Sequence, residues 1–195
     1  MLHYHGIQRV FCYDEARFGL KAHYRRRWCP SGYRAEWVVE DRYEWLWLLM
    51  ATEPSTGECV CAYMPTINTE TITAFLQEFD RQYPKDQHPK DQHPKDRIGI
   101  VLDGHAAHRS KRLQIPSHLV LLPTPAYSPE VNPAERVFKE LRARLSNIVF
   151  DSLASLEAAL TSALSLWWHT PALLQRLTSY PWWCEAAHSI KTSFL

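Results

Sequence analysis

An uninterrupted apolar run, Ile-Gly-Ile-Val-Leu at 98–102, ends directly at Asp103. Strands that are covered by helices on both faces have continuous apolar sequences of this kind, so the run predicts a central strand over 97–102. A carboxylate that follows such a strand is held at the carboxyl end of the sheet, where ligands of open α/β sheets bind. The run therefore favours an α/β fold with a polar site at the tip of this strand.

The remaining segments supply the other strands and the helices of such a sheet. Apolar and β-rich segments predict four more strands, near 8–13, 43–51, 59–64 and 117–122. Apolar residues at helical spacing predict four helices, near 69–83, 133–146, 153–168 and 171–178. Three strands, then alternating strands and helices, then helices indicate an α/β class with a mixed sheet. The aromatic stretch at 180–184 is expected to pack back on the domain.

Length and composition fit one folded domain over 1–195. The chain has 195 residues, 46% of them hydrophobic, which is enough for a substantial core. Its net charge is +1, so any surface that binds nucleic acid must be local. Five cysteines without a Cys-x-x-Cys pair predict buried free thiols in a reducing cytoplasm. No apolar run approaches the roughly 20 residues of a membrane span, and 1–6 lack the pattern of a signal peptide.

Two further acidic residues lie where they can join Asp103. Asp14 follows the first predicted strand, and Glu135 lies early in the helix predicted at 133–146. Two carboxylates at strand ends and a third on a helix can hold a pair of divalent metal ions. Such a pair stabilises both the attacking and the leaving oxygen of a phosphodiester.

Asp14 and its neighbour also have an ordinary structural interpretation. Aspartate is common in the turns that end strands, so Asp14 can be a turn residue. If the strand continues, Glu15 points to its other side. Glu15 is then expected to pair with Arg17 or a basic loop residue rather than to bind metal.

Glu135 has a structural alternative too. Asn132 and Glu135 have the spacing of a capping box, in which the glutamate bonds back to the amide of the cap residue. Lys139, four residues on, could also hold Glu135 in a surface ion pair. On a helical wheel Glu135 lies at the edge of the buried stripe, which suits the rim of a cleft.

Basic residues follow each of the three acids. The clusters are Lys21, His23, Arg25, Arg26 and Arg27, then Arg109, Lys111 and Arg112, then Arg136, Lys139, Arg142 and Arg144. Cations beside a metal–carboxylate site are what phosphate backbones require, so the first two clusters are predicted to contact DNA. The third is equally compatible with solvated surface charge. Trp28 could stack on a base or lie in the core.

Three blocks that contain these acids resemble the catalytic domain of DDE-type transposases, in the bacterial insertion-sequence branch of the mariner superfamily. They read Asp-Glu-Ala-Arg-Phe-Gly-Leu at 14–20, Leu-Asp-Gly-His-Ala-Ala-His-Arg-Ser at 102–110, and Tyr-Ser-Pro-Glu-Val-Asn-Pro-Ala-Glu-Arg at 127–136. The third block is the most specific, and the resemblance covers nearly the whole chain. It implies a ribonuclease H-like fold, with a mixed sheet flanked by helices.

The resemblance implies that Asp14, Asp103 and Glu135 are catalytic and bind two ions, Mg²⁺ or Mn²⁺. One ion would activate water to cut a DNA strand at an element end, and the freed 3′-hydroxyl would then attack target DNA. His108 matches the histidine of the family's second block and is predicted to contact DNA or to orient a neighbour. His105 departs from the small residue usual at its position, and no role follows for it.

The resemblance also implies partners. These are DNA, as element ends and as target, and further copies of the chain in a homo-oligomer, in the nucleoid region of a bacterial cytoplasm. The family's N-terminal helix-turn-helix region has no counterpart here, which predicts a separate DNA-binding protein or a frameshift fusion. Two alternatives stay open. One is an inactive or regulatory remnant that binds DNA or dimerises, and the other is a ribonuclease H-like nuclease outside transposition.

A five-residue repeat occupies 84–97. Pro-Lys-Asp-Gln-His occurs at 84–88 and 89–93 and begins again at residue 94. A polar tract with a proline in each unit cannot form a packed element, so it predicts a solvent-exposed loop. A metal-binding tract is the alternative, but duplication within a short connector explains the repeat better.

Overall fold

The computed structural model describes residues 6–26, 28–33, 36, 40–84, 97–125 and 128–192. The strands within these ranges are β1 (Ile7–Gly19), β2 (Trp45–Glu53), β3 (Glu58–Met64), β4 (Arg97–Leu102) and β5 (Leu119–Pro123). The helices are α1 (Thr69–Gln82), α2 (Pro133–Arg144), α3 (Leu153–His169), α4 (Pro171–Thr178) and α5 (Pro181–Thr192). Two 3₁₀ turns, Ala106–Arg109 and Pro129–Val131, follow β4 and β5.

The strands form one mixed sheet in the order β3-β2-β1-β4-β5. β2 is antiparallel to both of its neighbours, whereas β4 is parallel to β1 and to β5. Helices cover both faces of the sheet, and the apolar residues of β4 are buried between them. The α/β class with a mixed sheet and the central position of 97–102 are therefore confirmed.

β1 is much longer than the strand predicted at 8–13. Its second half pairs with β2 in a ladder that runs from Cys12↔Thr52 to Gly19↔Trp45. β4 stops at Leu102 while β1 continues beyond it, so residues 14 and 15 lie inside a strand rather than after it. The turn-like Asp-Glu sequence conceals this extension, because the hydrogen bonds that hold it come from β2.

Alternation along β1 sends its side chains to opposite faces of the sheet. Phe11 and Tyr13 pack with the buried residues of α1. Ala16 packs on the other face, in the core that α2, α3 and α4 share. Asp14 consequently lies on the α2 face of β1, and Glu15 lies on the α1 face.

The buried faces of the helices follow the predicted patterns, and one helix was not predicted. α1 buries Ile72, Phe75, Leu76 and Phe79, and α2 buries Pro133, Ala134, Val137, Phe138 and Leu141. Of the aromatic stretch at 180–184, Trp183 packs on the domain as expected, whereas Tyr180 and Trp182 are exposed; residues 181–184 form the first turn of α5. Trp183 and Ala187 of this helix are buried against Val10 and Cys12 of β1.

The β2–β3 connector is a hairpin turn, and it packs against α4. Gly57 has a φ of +78°, and a Cβ atom at this position would lie 1.9 Å from the carbonyl oxygen of Pro171. Both the backbone conformation and the close approach therefore require glycine here.

Three further expectations concern the chain as a whole. The five cysteines are free, as predicted, but only Cys12 is buried: Cys29 is exposed, and Cys59, Cys61 and Cys184 are half-buried. The repeat lies outside the described residues apart from its ends, Pro84 and Arg97. In the described ranges, no helix combines the length and the apolar character needed to cross a bilayer.

Candidate active site

Asp14 and Asp103 lie at the same level of two neighbouring parallel strands. The β1–β4 register pairs Cys12 with Val101, and each acid lies two residues further along its strand direction. β4 ends at Leu102, so Asp103 follows the strand, with 58% of its side chain exposed. Asp14, inside β1, is partly buried. The two carboxylates therefore lie at the carboxyl end of the parallel strands, where α/β sheets bind ligands.

Asn132 brings Glu135 to the same end of the sheet. Its Nδ2 donates a 2.9 Å hydrogen bond to the carbonyl oxygen of Tyr13, and its Oδ1 accepts a 3.1 Å hydrogen bond from the amide of Ala134. One buried side chain therefore caps α2 and fastens the first turn of this helix to β1 beside Asp14. Glu135 lies in that first turn and is exposed.

Neither structural alternative for Glu135 is formed. Asn132 caps α2 through the amide of Ala134, without the reciprocal glutamate bond of a capping box. Among the ion pairs of the described residues, Glu135 does not pair with Lys139. The carboxylate of Glu135 is therefore available to a ligand at the rim of the site.

The negative charges at this end of the sheet act on one another. Burial, then the charge of Glu135 and, to a smaller extent, the charges of Glu15 and Asp103 raise the pKa of Asp14 from 3.8 to about 8. A 2.9 Å hydrogen bond from the amide of Glu15 to Asp14 Oδ1 opposes this shift. No lysine or arginine in the described part of the chain forms an ion pair with Asp14, Asp103 or Glu135. Carboxylates that no lysine or arginine neutralises fit hard divalent cations, which prefer oxygen ligands.

Glu15 and His108 form a second polar contact, on the α1 face of β1. His108 Nε2 lies 3.6 Å from Glu15 Oε1, and His108 Nδ1 lies 2.9 Å from Asp103 Oδ1. Burial lowers the pKa of His108, but Glu15 and Asp103 outweigh this effect and raise it above the usual value. The expected pairing of Glu15 with Arg17 is wrong, because the Arg17 guanidinium lies over the Trp45 ring, 5.1 Å from its centroid.

The predicted direct contact of His108 with DNA does not fit its position. Only 2% of its side chain is exposed, so a phosphate backbone cannot reach the ring. The alternative of an orienting contact agrees with its short distance to Asp103. The other residues predicted to contact DNA are exposed where the structure describes them, at Arg25, Arg26, Arg109, Lys111 and Arg112. Arg27 lies outside the described residues.

A basic groove opens beside Glu135. Its volume is about 450 Å³, and its basic lining residues are His23, Arg25, Arg136, Lys139 and Arg142. Asn147, with a φ of 63°, ties the loop after β1 to the end of α2. Its amide donates a 2.9 Å hydrogen bond to the His23 carbonyl oxygen, and its Oδ1 accepts one of 2.9 Å from the Arg25 amide. The first and third basic clusters of the sequence therefore meet in one groove.

Three features of the site were missed or left open by the sequence analysis. Asn132 was expected only to cap a helix, and its bond to β1 joins residues far apart in the chain. The contact between Glu15 and His108 forms only because β1 continues past Asp14. The sequence pattern around Asp14 does not by itself show that the strand continues. Trp28 is fully exposed, so its interpretation as a core residue is wrong.

Comparison with known proteins identifies a matching family and one similar protein. Residues 9–157 match the family model described as DDE superfamily endonuclease. The uncharacterized protein y4pE/y4sA of Sinorhizobium fredii is 25% identical over 139 residues, which cover 71% of this chain and 89% of that protein.

Solved structures of Mos1 are similar in fold. The Mos1 strand transfer complex matches with a TM-score of 0.64 and 17% identity, over 96% of this chain and 56% of that chain. The Mos1 mariner paired end complex with Mn matches with a TM-score of 0.59 and 17% identity, over 96% of this chain and 57% of that chain. The catalytic domain of Mos1 mariner transposase matches with a TM-score of 0.54 and 18% identity, over 96% of this chain and 83% of that chain.

This chain thus spans little more than half of the Mos1 chains in the first two complexes. The likeness confirms the expected ribonuclease H-like fold. Because the family model covers well over half of the sequence, the chain belongs to the DDE superfamily of endonucleases.

Proposed function

We propose that this protein is the catalytic subunit of a DNA transposase, which cleaves strands at element ends and joins them to target DNA. The observation that carries the proposal is the convergence of negative charge on Asp14. Besides the partial burial of Asp14, the charges of Glu135 and, less strongly, of Asp103 raise the pKa of its carboxyl group, although both residues lie far from it in the sequence. Asp14, Asp103 and Glu135 are the residues to which we assign catalysis.

The same three carboxylates would hold the divalent ions, two Mg²⁺ or Mn²⁺. They offer only oxygen atoms, which both of these cations accept. The Mos1 paired end complex with Mn is consistent with this choice. Bound ions of this kind neutralise charge on the reacting oxygens of a phosphodiester during an in-line displacement.

The chain itself contributes position and protonation. The β1–β2 ladder fixes the backbone of Asp14, and Asn132 fixes the first turn of α2, which carries Glu135. His108 Nδ1 is hydrogen-bonded to the main-chain carbonyl oxygen of Asp103 at 3.2 Å and lies 2.9 Å from its carboxylate oxygen Oδ1, so it helps to orient Asp103. With a pKa of about 8, Asp14 holds a proton at neutral pH in the metal-free protein. Metal binding should therefore release this proton.

Exposed cations lie on two sides of the acidic site and suit DNA as the substrate. The basic groove lies on the α2 side, and Arg109, Lys111 and Arg112 follow Asp103 on the other side. Lysine and arginine groups provide the affinity of proteins for phosphate backbones. The exposed ring of Trp28 offers a surface on which an unpaired base can stack.

The proposal is tested by incubating the purified chain with labelled element-end DNA in Mg²⁺ or Mn²⁺ and resolving the strands on denaturing gels. We expect nicked strands that a chelator abolishes. Asp14→Asn, Asp103→Asn and Glu135→Gln keep the shape of each side chain but remove its charge. Each should lower the cleavage rate by roughly a hundredfold or more, the scale on which electrostatic groups contribute to catalysis.

Glu140→Gln is the matched control for Glu135→Gln. Glu140 lies on the same helix, but it forms a surface ion pair with Arg144 at 3.2 Å instead of facing Asp14. Its variant should cleave at the wild-type rate. Wild-type cleavage by Asp103→Asn, with its fold intact by circular dichroism, would exclude the assigned site.

A second readout in the same experiment addresses the inactive remnant. DNA binding is measured by gel shift, both with the chain alone and with a helix-turn-helix partner supplied. Binding without nicking under every metal condition would favour a regulatory remnant over a transposase. We also propose a homo-oligomer as the active form, and light scattering with and without DNA measures its size.

A further inference from the structure

Three potential metal ligands meet on the face of β1 opposite to Asp14. They are Glu15, His105 and His108, and one ligand atom from each lies within 4.8 Å of the others. The 3₁₀ turn Ala106–Arg109 brings the two imidazole rings together, with a centroid distance of 5.6 Å. None of these residues is among the carboxylates assigned to catalysis.

Two of the ligand atoms are buried without a hydrogen-bond partner. Glu15 and His108 have 10% and 2% of their side chains exposed. Three buried side-chain atoms lack a hydrogen-bond partner in the described structure, namely Glu15 Oε2, His108 Nε2 and the hydroxyl oxygen of Tyr13, whose ring packs against His108. Buried polar atoms nearly always have partners, because an unpaired one has lost its water without gaining a replacement. The Glu15 and His108 atoms therefore point to a missing ligand.

The distance between these groups suits two ligands of one ion. His108 Nε2 and Glu15 Oε1 are 3.6 Å apart, which is too long for a hydrogen bond. Ligands that bind a tetrahedral zinc ion at about 2.0–2.2 Å lie roughly 3.3–3.6 Å from each other. The contact between His108 Nδ1 and Asp103 leaves Nε2 of the same ring as its metal-binding atom.

We propose that Glu15, His105 and His108 bind one zinc-class transition-metal ion, at a site separate from the catalytic carboxylates. Two imidazoles and one carboxylate form the ligand set of open zinc sites, with a fourth position left for water. Magnesium prefers oxygen ligands and is a poor match for the two nitrogens. The proposal does not depend on DNA cleavage by this protein.

The ion would act on the catalytic side through His108. A metal on Nε2 would fix the proton of the ring on Nδ1, which would then donate to the main-chain carbonyl oxygen of Asp103, at 3.2 Å. Glu15 and His105 would thereby become positioning residues for Asp103. The exposed His105 is the residue through which the site can be removed without disturbing the core.

The test is zinc binding by the full chain after chelator treatment, measured by competition with a chromophoric chelator in excess Mg²⁺. We expect one equivalent of zinc that Mg²⁺ does not displace. His105→Ala should weaken the affinity by at least about tenfold and should abolish the rise in melting temperature on zinc addition. His188→Ala, an exposed histidine on α5, is the matched control and should leave both unchanged.

The free cysteines require a second measurement, because thiolates also bind zinc. Cobalt(II) replaces zinc as a spectroscopic probe, and thiolate ligands would give an intense near-ultraviolet charge-transfer band. We expect a cobalt spectrum without that band, and its visible absorption should be lost in His105→Ala. A thiolate band, unchanged zinc affinity in His105→Ala, or the lack of stoichiometric binding would each overturn the proposal.

Discussion

The side-chain amide of Asn132 donates a hydrogen bond of 2.9 Å to the carbonyl oxygen of Tyr13, and this bond sets Glu135 against Asp14. The same side chain caps α2, so one buried residue fixes both the start of the helix and its distance from β1. Removal of the side chain would leave the Tyr13 carbonyl group without this partner. The geometry of the acidic site therefore depends on a residue that carries no charge.

Asn132→Ala should destabilise the protein by about 2–4 kcal/mol and should abolish cleavage. The loss combines a helix cap, worth about 1 kcal/mol, with a buried carbonyl group left unpaired, which costs about 1–3 kcal/mol. Urea unfolding measures the stability, and the nicking assay measures the activity. Asn68→Ala is the matched control, because Asn68 caps α1 through an exposed contact with Thr71. The control should lose only about 1 kcal/mol and should keep its activity; equal effects of the two substitutions would contradict this role for Asn132.

The stability of the metal-free protein should fall as the pH rises from about 4 to about 8. Asp14 has an ordinary pKa of 3.8 and a pKa of about 8 in the folded chain, so between these values the folded state binds more protons than the unfolded state. The stabilising contribution is complete at low pH and declines by up to about 1.4 kcal/mol per pH unit. Asp14→Asn does not titrate, so its unfolding free energy in chelator should depend less on pH. Wild type and Asp14→Asn share all other titratable groups. If their free energies of unfolding changed with pH in parallel, the pKa of Asp14 would not be raised in the folded protein.

Lys139→Ala should weaken DNA binding evenly across sequences and should reduce its dependence on salt. Lys139 lines the basic groove, where a phosphate contact would release counterions on binding. The slope of log K against log salt should decrease in magnitude by about 1. Lys191→Ala on α5, away from the groove, provides the control. Equal slopes for wild type and Lys139→Ala, from fluorescence anisotropy at several salt concentrations, would place the DNA elsewhere.

Trp28→Ala should weaken the binding of single-stranded DNA without changing the stability of the fold. The ring is fully exposed, so its removal costs no core packing. Stacking of one base on an aromatic side chain contributes about 1–3 kcal/mol, which corresponds to roughly a five- to 150-fold change in affinity. Trp28→Phe retains a stacking surface and should bind nearly as well as wild type. Unaltered binding by Trp28→Ala would remove this residue from the DNA-binding surface.

Deletion of residues 84–93 should leave stability and cleavage nearly unchanged. The deleted residues are two polar units of the repeat, and each doubling of loop length costs only about 0.6 kcal/mol. The connector joins β4 at Arg97, the opposite end of the strand from Asp103. Melting temperature and nicking rate measure the outcome. A loss of metal binding or DNA affinity in the deletion variant would show that the repeat units have a function.

Local sequence predicted most of the elements and the candidate carboxylates. The apolar run before Asp103 forms a buried central strand because its pattern reflects burial on both faces, and α1 buries apolar residues that recur at helical spacing. The three acids were predicted to be catalytic from the sequence blocks that contain them. The ends of elements were predicted less well, since the hydrogen bonds that extend β1 to Gly19 come from β2.

Only the tertiary structure determined which of these residues contact one another and which are buried. Asn132 reaches Tyr13, and His108 lies between Glu15 and Asp103, only because the sheet order places β1 beside β4 and the start of α2. The burial of His108 does not fit its predicted contact with DNA, and the full exposure of Trp28 excludes it from the core. A sequence pattern records which side chains are apolar and how they are spaced. Contacts between distant segments, and the pKa of a carboxyl group that several of them surround, depend on how those segments pack in three dimensions.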